Sequence, residues 1–248
     1  MHGRGFTIDA RYLVKTVLLF LVCFTFVGTA MGQELTHRLY WPSPKGTKVL
    51  VSGYSYTSGD ILFDRSIPLS EVDSELNVGI LAYLQTVDLW GRSGNFLVEL
   101  PYIWGNTSGF IGDTPARADF SNFGDIKITT TIHLLGAPSM TLEDFLDFRA
   151  KPRPIIGASL KLVAPTGDYD SDKLINVGAN RWATRAQIGT IFPITPTWLL
   201  ELETGVWFYG DDDEFLPGKR EQEPVYSVQT NLVKRFSPGF WASLDLSF

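Results

Sequence analysis

The chain has 248 residues, of which 44% are hydrophobic, 13% aromatic and only 19% charged, and its formal net charge is −6. The charged fraction is lower than the roughly 25% of an average globular protein, so little polar surface is available for a soluble domain. The negative charge, without a concentrated face of Lys and Arg, argues against a nucleic-acid partner, because phosphate binding needs such a face.

The first 32 residues predict a secretory signal peptide, followed by a mature domain over 33–248. Basic residues precede the apolar run 16–27, which is too short to span a bilayer as a helix, and small residues follow it. We expect cleavage after Ala30 or Gly32, with a retained membrane anchor as the alternative. Cys23 lies within this run. The mature domain would therefore have no cysteine for a disulfide, a thiolate metal site or a nucleophile.

From about residue 47 onward, polar and apolar residues alternate with period two in nine segments. Most reach the length of about 9–11 residues that a tilted strand needs to cross a bilayer. No apolar run after residue 32 approaches the roughly 20 residues of a membrane helix. A membrane-inserted domain would therefore cross with strands. The predicted strands are 47–57, 76–89, 95–104, 125–135, 154–164, 181–192, 197–209, 225–236 and 240–248.

The connections between these strands favour a membrane barrel. A soluble antiparallel sheet with one solvated face has the same alternation. However, the predicted connections are alternately long and short, as in outer-membrane barrels, which have long extracellular loops and short periplasmic turns. Only 136–153 breaks this rule. There Thr141 and Asp144 have the spacing of a helix-capping pair. We expect a short helix near 141–149 that lies along the periplasmic rim, plugs the opening or is simply a packed loop helix.

The apolar side of that helix would comprise Leu142, Phe145, Leu146 and Phe148. Aromatic residues also lie near most predicted strand ends, which is typical of the two interfacial girdles of a barrel, although core packing would place some of them there. The ten aromatic residues are Trp90, Tyr102, Trp104, Trp182, Trp198, Phe208, Tyr209, Tyr226, Phe236 and Trp241.

The odd number of predicted strands bears on completeness. Closed bacterial barrels have even strand numbers, because an open edge is costly in lipid. Nine strands therefore indicate a chain that is incomplete at its C-terminus. The alternative is that Phe248 is the terminal aromatic of a final strand and that the count is wrong by one.

The stretch 157–189, GASLKLVAPTGDYDSDKLINVGANRWATRAQIG, is the most specific in the chain. Together with 59–79, 99–105, 123–145 and the C-terminal stretches GVWFYGDDDEFLPG and PGFWASLDLSF, it resembles the bacterial outer-membrane family labelled "putative meta-pathway of phenol degradation". The resemblance implies a transporter barrel that continues past the equivalent of Phe248, here to roughly twelve strands. It also implies passage of hydrophobic or aromatic small molecules, and it carries over no catalytic residues.

Nine polar residues at inward positions of the predicted strands are the candidates for lining the lumen. Both charge signs are present, so the residues would either tune selectivity or form a static salt-bridge network that holds a narrow barrel shut. These candidates are Glu99, Lys127, His133, Lys161, Arg185, Gln187, Glu201, Glu203 and Asp245.

A second group lies in a predicted extracellular loop and consists of Asp168, Asp170, Asp172, Asn176, Asn180, Arg181 and Trp182. The acidic run imitates a calcium loop, but Lys173 and Ala179 stand where glycine and a bidentate Glu are needed, so we predict no metal site. A solvated acidic loop is the expectation, with surface calcium bridging to lipopolysaccharide as the alternative. The Asn, Arg and Trp residues would form a ligand-entry ledge or simply fold the loop and anchor it.

The sequence therefore predicts an all-β, antiparallel outer-membrane β-barrel of a Gram-negative bacterium, which passes small solutes by passive diffusion. Expected partners are outer-membrane lipid and lipopolysaccharide, a small-molecule solute and the barrel assembly machinery; no cofactor and no nucleic acid are expected. The alternatives are a barrel hydrolase and a soluble secreted β-sandwich binding protein. For a hydrolase, the mature chain offers only His37 and His133, without a recognised catalytic motif.

Overall fold

The computed structural model describes residues 39–59, 69–173, 175–215, 218–237 and 240–248. The predicted signal peptide and His37 lie outside the described residues. No helix in the described part of the chain combines the length and the apolar character needed to cross a bilayer. The elements are β1 (Lys48–Gly59), β2 (Leu69–Leu89), β3 (Arg92–Ile111), β4 (Thr114–Phe123), β5 (Ile126–Leu135), α1 (Leu142–Ala150), β6 (Ile155–Ala164), β7 (Ala183–Thr195), β8 (Trp198–Tyr209), β9 (Val225–Ser237) and β10 (Phe240–Ser247).

All of these strands belong to one antiparallel sheet that curls into a half-barrel. Its order is β1-β2-β3-β5-β6-β7-β8-β9-β10, and β4 pairs with β3 alone. β4 pairs with Tyr102–Ile111 of β3 and β5 with Gly94–Glu99 of the same strand, so β4 and β5 share one position in the sheet. The predicted antiparallel outer-membrane barrel class is confirmed, and the nine predicted strands correspond to nine positions.

The prediction that 105–124, between the predicted strands 95–104 and 125–135, is a long loop is wrong. The outer half of β3, the turn Gly112–Asp113 and β4 form a hairpin instead, in which Ile111 pairs with Thr114. Gly112 has a φ of +61°, which a glycine adopts without strain and which a two-residue hairpin turn requires. β2 likewise begins at Leu69, before its predicted start at residue 76.

The sheet has two different ends. The turns β2–β3 and β7–β8 and the connection through α1 lie at one end, which we term the short-turn end. The β3–β4 hairpin and the connections 165–182 and 210–224 lie at the other, the long-loop end. The β2–β3 turn consists of Trp90 and Gly91, whose φ values of +54° and +78° match the two positive φ angles of a type I′ turn.

The polarity of the two faces is the reverse of that in a soluble sheet. In β6 the outward Leu160 is 54% exposed, whereas the next residue, the inward Lys161, is 6% exposed. β7 repeats the pattern with outward Ile188 and inward Arg185. Apolar side chains on the outer face are stable against lipid but not against water, so the pattern disfavours the soluble β-sandwich.

The aromatic residues divide between the two faces. Most of the predicted girdle residues are exposed, for example Trp90, Trp182 and Tyr226. The prediction is wrong for Tyr209 and Trp241. Trp241 packs against a buried core inside the sheet, and Tyr209 lies inward because it shares the parity of the buried positions on β8.

The short helix α1 is confirmed, together with its N-cap. The Asp144 N–H donates to Thr141 Oγ1 at 3.2 Å, and the Thr141 N–H donates to the Asp144 carboxylate at 3.1 Å, which is a reciprocal capping box. Its buried side is narrower than predicted. Phe148 is buried and Phe145 partly buried, whereas Leu142 and Leu146 are exposed on the far side.

Candidate functional site

The inward face of the sheet carries a continuous polar surface from β3 to β10. All nine predicted lumen residues lie on this face, at alternate positions of their strands. Those that are buried are His133, Lys161, Arg185, Gln187, Glu201 and Glu203, and those that are half-buried are Glu99, Lys127 and Asp245.

Opposite charges and hydrogen bonds link these residues to inward side chains of other strands. Lys161 Nζ lies 3.7 Å from Glu99 Oε2, and the Gln187 amide donates to the Glu203 carboxylate. Arg185 lies beside Lys161 in the register of β6 and β7 and donates to Ser227 Oγ at 3.1 Å. The two adjacent cations thus each have a polar partner, the Glu99 carboxylate for Lys161 and the Ser227 hydroxyl for Arg185.

The same surface continues onto the last strand through Asn231. With its amide oriented to match its neighbours, Asn231 donates to Asp245 Oδ1 at 3.0 Å and accepts from Gln229 Nε2 at 3.1 Å. β8 contributes Glu201, which pairs in register with Asn231. Five consecutive strands, β6 to β10, therefore present polar groups to the interior.

At the short-turn end, the interior is filled by the segment 39–41, which we term the plug. Tyr40 is 1% exposed, and its hydroxyl lies 3.0 Å from Ser159 Oγ. Its ring lies over Gly157 and Gly189, which face each other on β6 and β7. A β-carbon on either glycine would overlap the ring, so the two glycines form a notch that fits Tyr40.

His133 fastens the plug to the wall. Its Nε2 lies 2.8 Å from the carbonyl oxygen of Tyr40, and its Nδ1 lies 2.7 Å from the carbonyl oxygen of Ser93. The adjacent Trp41 packs against Phe148 of α1 at a centroid distance of 5.9 Å, and the Arg235 guanidinium lies 4.9 Å from the Trp41 ring. Side chains of three strands and the helix thus hold the plug.

Apolar inward residues of β6 to β9 near the short-turn end surround the plug. These apolar side chains exclude water around the Tyr40 ring. The buried residues of this cluster are Tyr40, Ala137, Met140, Phe148, Ile155, Ile191, Leu199 and Val233. The sequence leaves three roles open for the short helix, namely lying along the rim, plugging the opening and folding a loop. Because Phe148 of α1 lies in this cluster, the structure favours the role of plugging the opening. Tyr40 was not among the candidate residues predicted from the sequence.

At the long-loop end, buried acidic side chains hold the loops. The N–H groups of Thr166, Gly167 and Ala179 donate to the Asp125 carboxylate at 3.1, 2.8 and 2.9 Å. Such a carboxylate acts as the centre of the loop 165–182, because it satisfies three backbone donors at once.

A second carboxylate joins that loop to 210–224. The Tyr169 hydroxyl and the Asn180 amide each donate to Asp212 at 2.9 Å. Partial burial, together with the hydrogen bond and the negative charge of Asp212, raises the pKa of Tyr169 to about 12. Nearby, hydrogen bonds and charges from Asp211 and Glu221 raise the pKa of Lys219 above its usual range.

The acidic run of the predicted loop is dispersed. Asp168 accepts from the Asn122 amide at 2.7 Å, and Asp170 pairs with Lys173 at 3.1 Å, which lowers the pKa of Asp170. Asp172 is exposed. Within the described ranges, no group of three or more His, Cys, Asp or Glu residues could hold a metal ion.

The remaining predicted loop residues contribute mainly to loop folding. Asn176 accepts from the backbone N–H of Asp170 at 2.9 Å, and Asn180 has a φ of +51°, a left-handed conformation that asparagine tolerates. Arg181 is buried, with its guanidinium 4.8 Å from the Tyr209 ring, and it donates to Gln222. Of the four residues predicted to form a ligand-entry ledge, only Trp182 is exposed.

A cavity of about 470 Å³ lies under the β3–β4 hairpin at the long-loop end. Small residues make room for it, with Gly109 and Ala116 directly opposite each other on β3 and β4. Phe120 and Ile175 supply its apolar floor. Its volume lies within the range of about 300–1,000 Å³ that is typical of small-molecule sites.

His133 is the residue on which a hydrolase hypothesis would depend. Both of its ring nitrogens contact backbone carbonyl oxygens rather than a Ser or Asp side chain. A catalytic histidine needs a hydrogen-bonded nucleophile or a positioning carboxylate. The contacts of His133 therefore serve the plug and give the hydrolase alternative no support.

Comparison with known proteins agrees with this architecture. A crystal structure of an outer membrane channel from Pseudomonas putida F1 matches with a TM-score of 0.67 and 25% sequence identity, over 86% of this chain and 76% of the channel chain. A search of curated proteins returned no match. The sequence model of the family described as "Putative MetA-pathway of phenol degradation" matches residues 46–244, which is most of the chain. The resemblance noted in the sequence is thereby confirmed, and the chain belongs to this family.

Proposed function

We propose that the chain forms the wall of an outer-membrane channel through which small hydrophobic or aromatic solutes diffuse passively. The observation that carries this proposal is the reversed polarity of the sheet, with apolar residues such as Leu160 and Ile188 outward and charged residues such as Lys161 and Arg185 inward. An outer apolar band and a polar interior are the two features that distinguish a membrane barrel from a soluble sheet.

The comparisons support the same role. The structure from Pseudomonas putida F1 is that of an outer membrane channel, and the family description refers to phenol degradation. On this proposal the long-loop end faces the outside of a Gram-negative cell, where lipopolysaccharide surrounds it, and the barrel assembly machinery inserts the chain. The outward aromatic residues, such as Trp182 and Tyr226, would lie at the lipid interfaces.

The interior explains why transport would be restricted to small molecules. Tyr40 and the surrounding apolar cluster fill the short-turn end, and the salt bridge between Lys161 of β6 and Glu99 of β3 reaches across the intervening strand β5. Solutes would have to pass the plug or displace it. The channel should therefore have a low ion conductance in its resting state.

The test is made with the full chain purified in detergent. Inserted into planar bilayers, it should give discrete conductance steps. Expressed in bacterial cells with an intact lipopolysaccharide leaflet, it should accelerate uptake of radiolabelled toluene compared with cells that carry an empty vector. A protein that inserts but gives neither conductance nor faster uptake would contradict the proposal.

A further inference from the structure

A second cavity lies at the short-turn end, between the plug and the inward faces of β2, β3 and β5. It has a volume of about 360 Å³, which is sufficient for a small organic molecule. Unlike the cavity under the β3–β4 hairpin, it lies directly beside the plug and is lined in part by it.

One part of this cavity is apolar. Leu84 of β2 and Leu97 of β3 are direct partners in the antiparallel register, and both line the cavity. Leu39 and Trp41 line it from the plug. Three leucines and an indole ring provide a surface against which a flat apolar ring gains contact area.

The polar part of the cavity contains two buried groups whose hydrogen-bonding capacity is unused. Ser93 is 1% exposed and Asn95 is 8% exposed, and both line the cavity. Within the described part of the chain, neither Ser93 Oγ nor Asn95 Oδ1 has a hydrogen-bond partner. Buried polar atoms without partners are costly, so a molecule that supplies the missing bonds would be stabilised there.

The chemistry of the two groups specifies the ligand. Asn95 Oδ1 can only accept, so it needs an O–H or N–H donor, whereas the Ser93 hydroxyl can either donate or accept. One hydroxyl group on a ligand can donate to Asn95 and accept from Ser93. An ether oxygen has no proton and cannot satisfy Asn95.

The residues that line the cavity also limit the charge that a ligand can carry. Among the described residues, no Lys, Arg, Asp or Glu lines this cavity. His133 does line it, but its two ring nitrogens lie 2.7 and 2.8 Å from the carbonyl oxygens of Ser93 and Tyr40, so neither is directed at a ligand in the cavity. A carboxylate would therefore be desolvated without a cationic partner, which is unfavourable.

We propose that this cavity binds a neutral aromatic ring that carries a hydroxyl group, an inference that rests on the proposed channel function. The hydroxyl group donates to Asn95 Oδ1 and accepts from Ser93 Oγ, and the ring packs against Leu84, Leu97 and Trp41. Because Trp41 follows Tyr40 directly, a solute in this site contacts the plug before it leaves the channel.

The test compares three probes, phenol, anisole and benzoate, by saturation-transfer NMR on the full chain in detergent. Anisole keeps the ring but has no donor, and benzoate adds a negative charge. Phenol should bind, anisole should bind about fivefold more weakly, as expected for the loss of one neutral hydrogen bond, and benzoate should not bind. Equal affinities for phenol and anisole would overturn the proposal.

The variant Asn95→Leu removes the acceptor and should lower phenol affinity to the level of anisole, without changing anisole affinity. The matched control is Asn106→Leu, on the same strand but at an outward position, which should bind phenol like the original chain. If Asn95→Leu does not fold, Ser93→Ala serves instead and should weaken phenol binding about threefold. If a folded variant at Asn95 or Ser93 binds phenol with unchanged affinity, the proposed binding site is wrong.

The two proposals fail in different ways. If the chain conducts ions and accelerates solute uptake but phenol binding does not depend on Asn95 or Ser93, the site is wrong and the channel stands. If binding depends on these residues but neither conductance nor uptake is observed, the proposed channel function is wrong.

Discussion

The ring of Tyr40 lies over Gly189, in the space that a β-carbon on that residue would occupy. The contact joins a segment at the start of the described chain to the middle of β7. Gly157 on the neighbouring strand meets the same ring, so the wall is shaped to accept this one side chain.

The notch predicts the effect of filling it. Gly189→Val should displace Tyr40, raise the resting conductance and destabilise the folded barrel by about 1–3 kcal/mol, because a side chain enters space that is already occupied. Single-channel recording and urea unfolding in detergent measure the two effects. The matched control is Gly53→Ala on β1, where a β-carbon meets its nearest atom at 4.0 Å. If Gly189→Val keeps both the original conductance and the original stability, Tyr40 does not close the channel.

The fastening of the plug by His133 can be tested separately. His133→Leu removes both contacts to carbonyl oxygens and leaves those of Ser93 and Tyr40 buried without this partner, at a cost of about 1–3 kcal/mol. We expect longer open times and a lower unfolding midpoint. Thr130→Val, at an outward position of the same strand, should change neither. Open times that match those of the unaltered chain would show that other contacts hold the plug.

The salt bridge between Lys161 and Glu99 predicts a change in ion selectivity. Lys161→Met removes one positive charge from the inward face beside Glu99, so the lumen should become more cation-selective. The reversal potential in a salt gradient should shift accordingly. The double variant with Glu99→Gln should return it towards the original value. If the single variant does not shift the reversal potential, this pair lies away from the ion path.

The apolar outward face predicts that a charged substitution there lowers the stability of the folded protein. Leu160→Lys should destabilise the folded state by about 2–4 kcal/mol in lipid bilayers, because a lysine near the middle of the membrane is poorly solvated. Ser171→Lys, in an exposed loop, is the control and should have little effect on unfolding. Equal stabilities of the two variants would mean that Leu160 does not face lipid.

The cap of α1 predicts an acid-sensitive helix. Hydrogen bonds from the side chain and then the backbone of Thr141 hold the pKa of Asp144 below its usual value of 3.8. A lowered pKa stabilises the folded state above the unfolded value and loses this contribution as pH falls through the folded value. The protection factors of the α1 amides, which are corrected for the intrinsic exchange rate at each pH, should therefore fall below about pH 4. In Thr141→Val the Asp144 pKa, followed by carbon NMR, should rise towards its usual value, whereas Thr130→Val should leave it unchanged.

Much of the interior was predictable from strand parity. His133, Lys161, Arg185 and Glu201 occupy odd positions in strands whose even positions are apolar, and all four are buried inward. Parity works here because one face meets lipid and the other meets the polar interior, so a single rule of alternation covers the strands that carry these four residues.

The plug was not predictable in this way. Tyr40 and Ser159 are 119 positions apart, and a single Tyr in a connecting segment has no periodic pattern. The hairpin was missed for a different reason. In β4 the outward residues include Arg117 and Asp119, and the inward ones include Ala116 and Ala118, so the apolar-outward pattern is absent. Outward charges of this kind are expected where a strand extends beyond the hydrocarbon layer.

β2 and β3 have 21 and 20 residues, twice the length of β5 and β6. At about 3.3 Å per residue, β3 is roughly 65 Å long, whereas about 9–11 tilted residues suffice to cross a bilayer. On the proposed orientation, the β3–β4 hairpin, which includes the outer half of β3, rises above the membrane. Among the described residues, its tip at Gly112–Asp113 would lie farthest from the bilayer, within reach of an antibody, a bacteriophage or a protease at the cell surface.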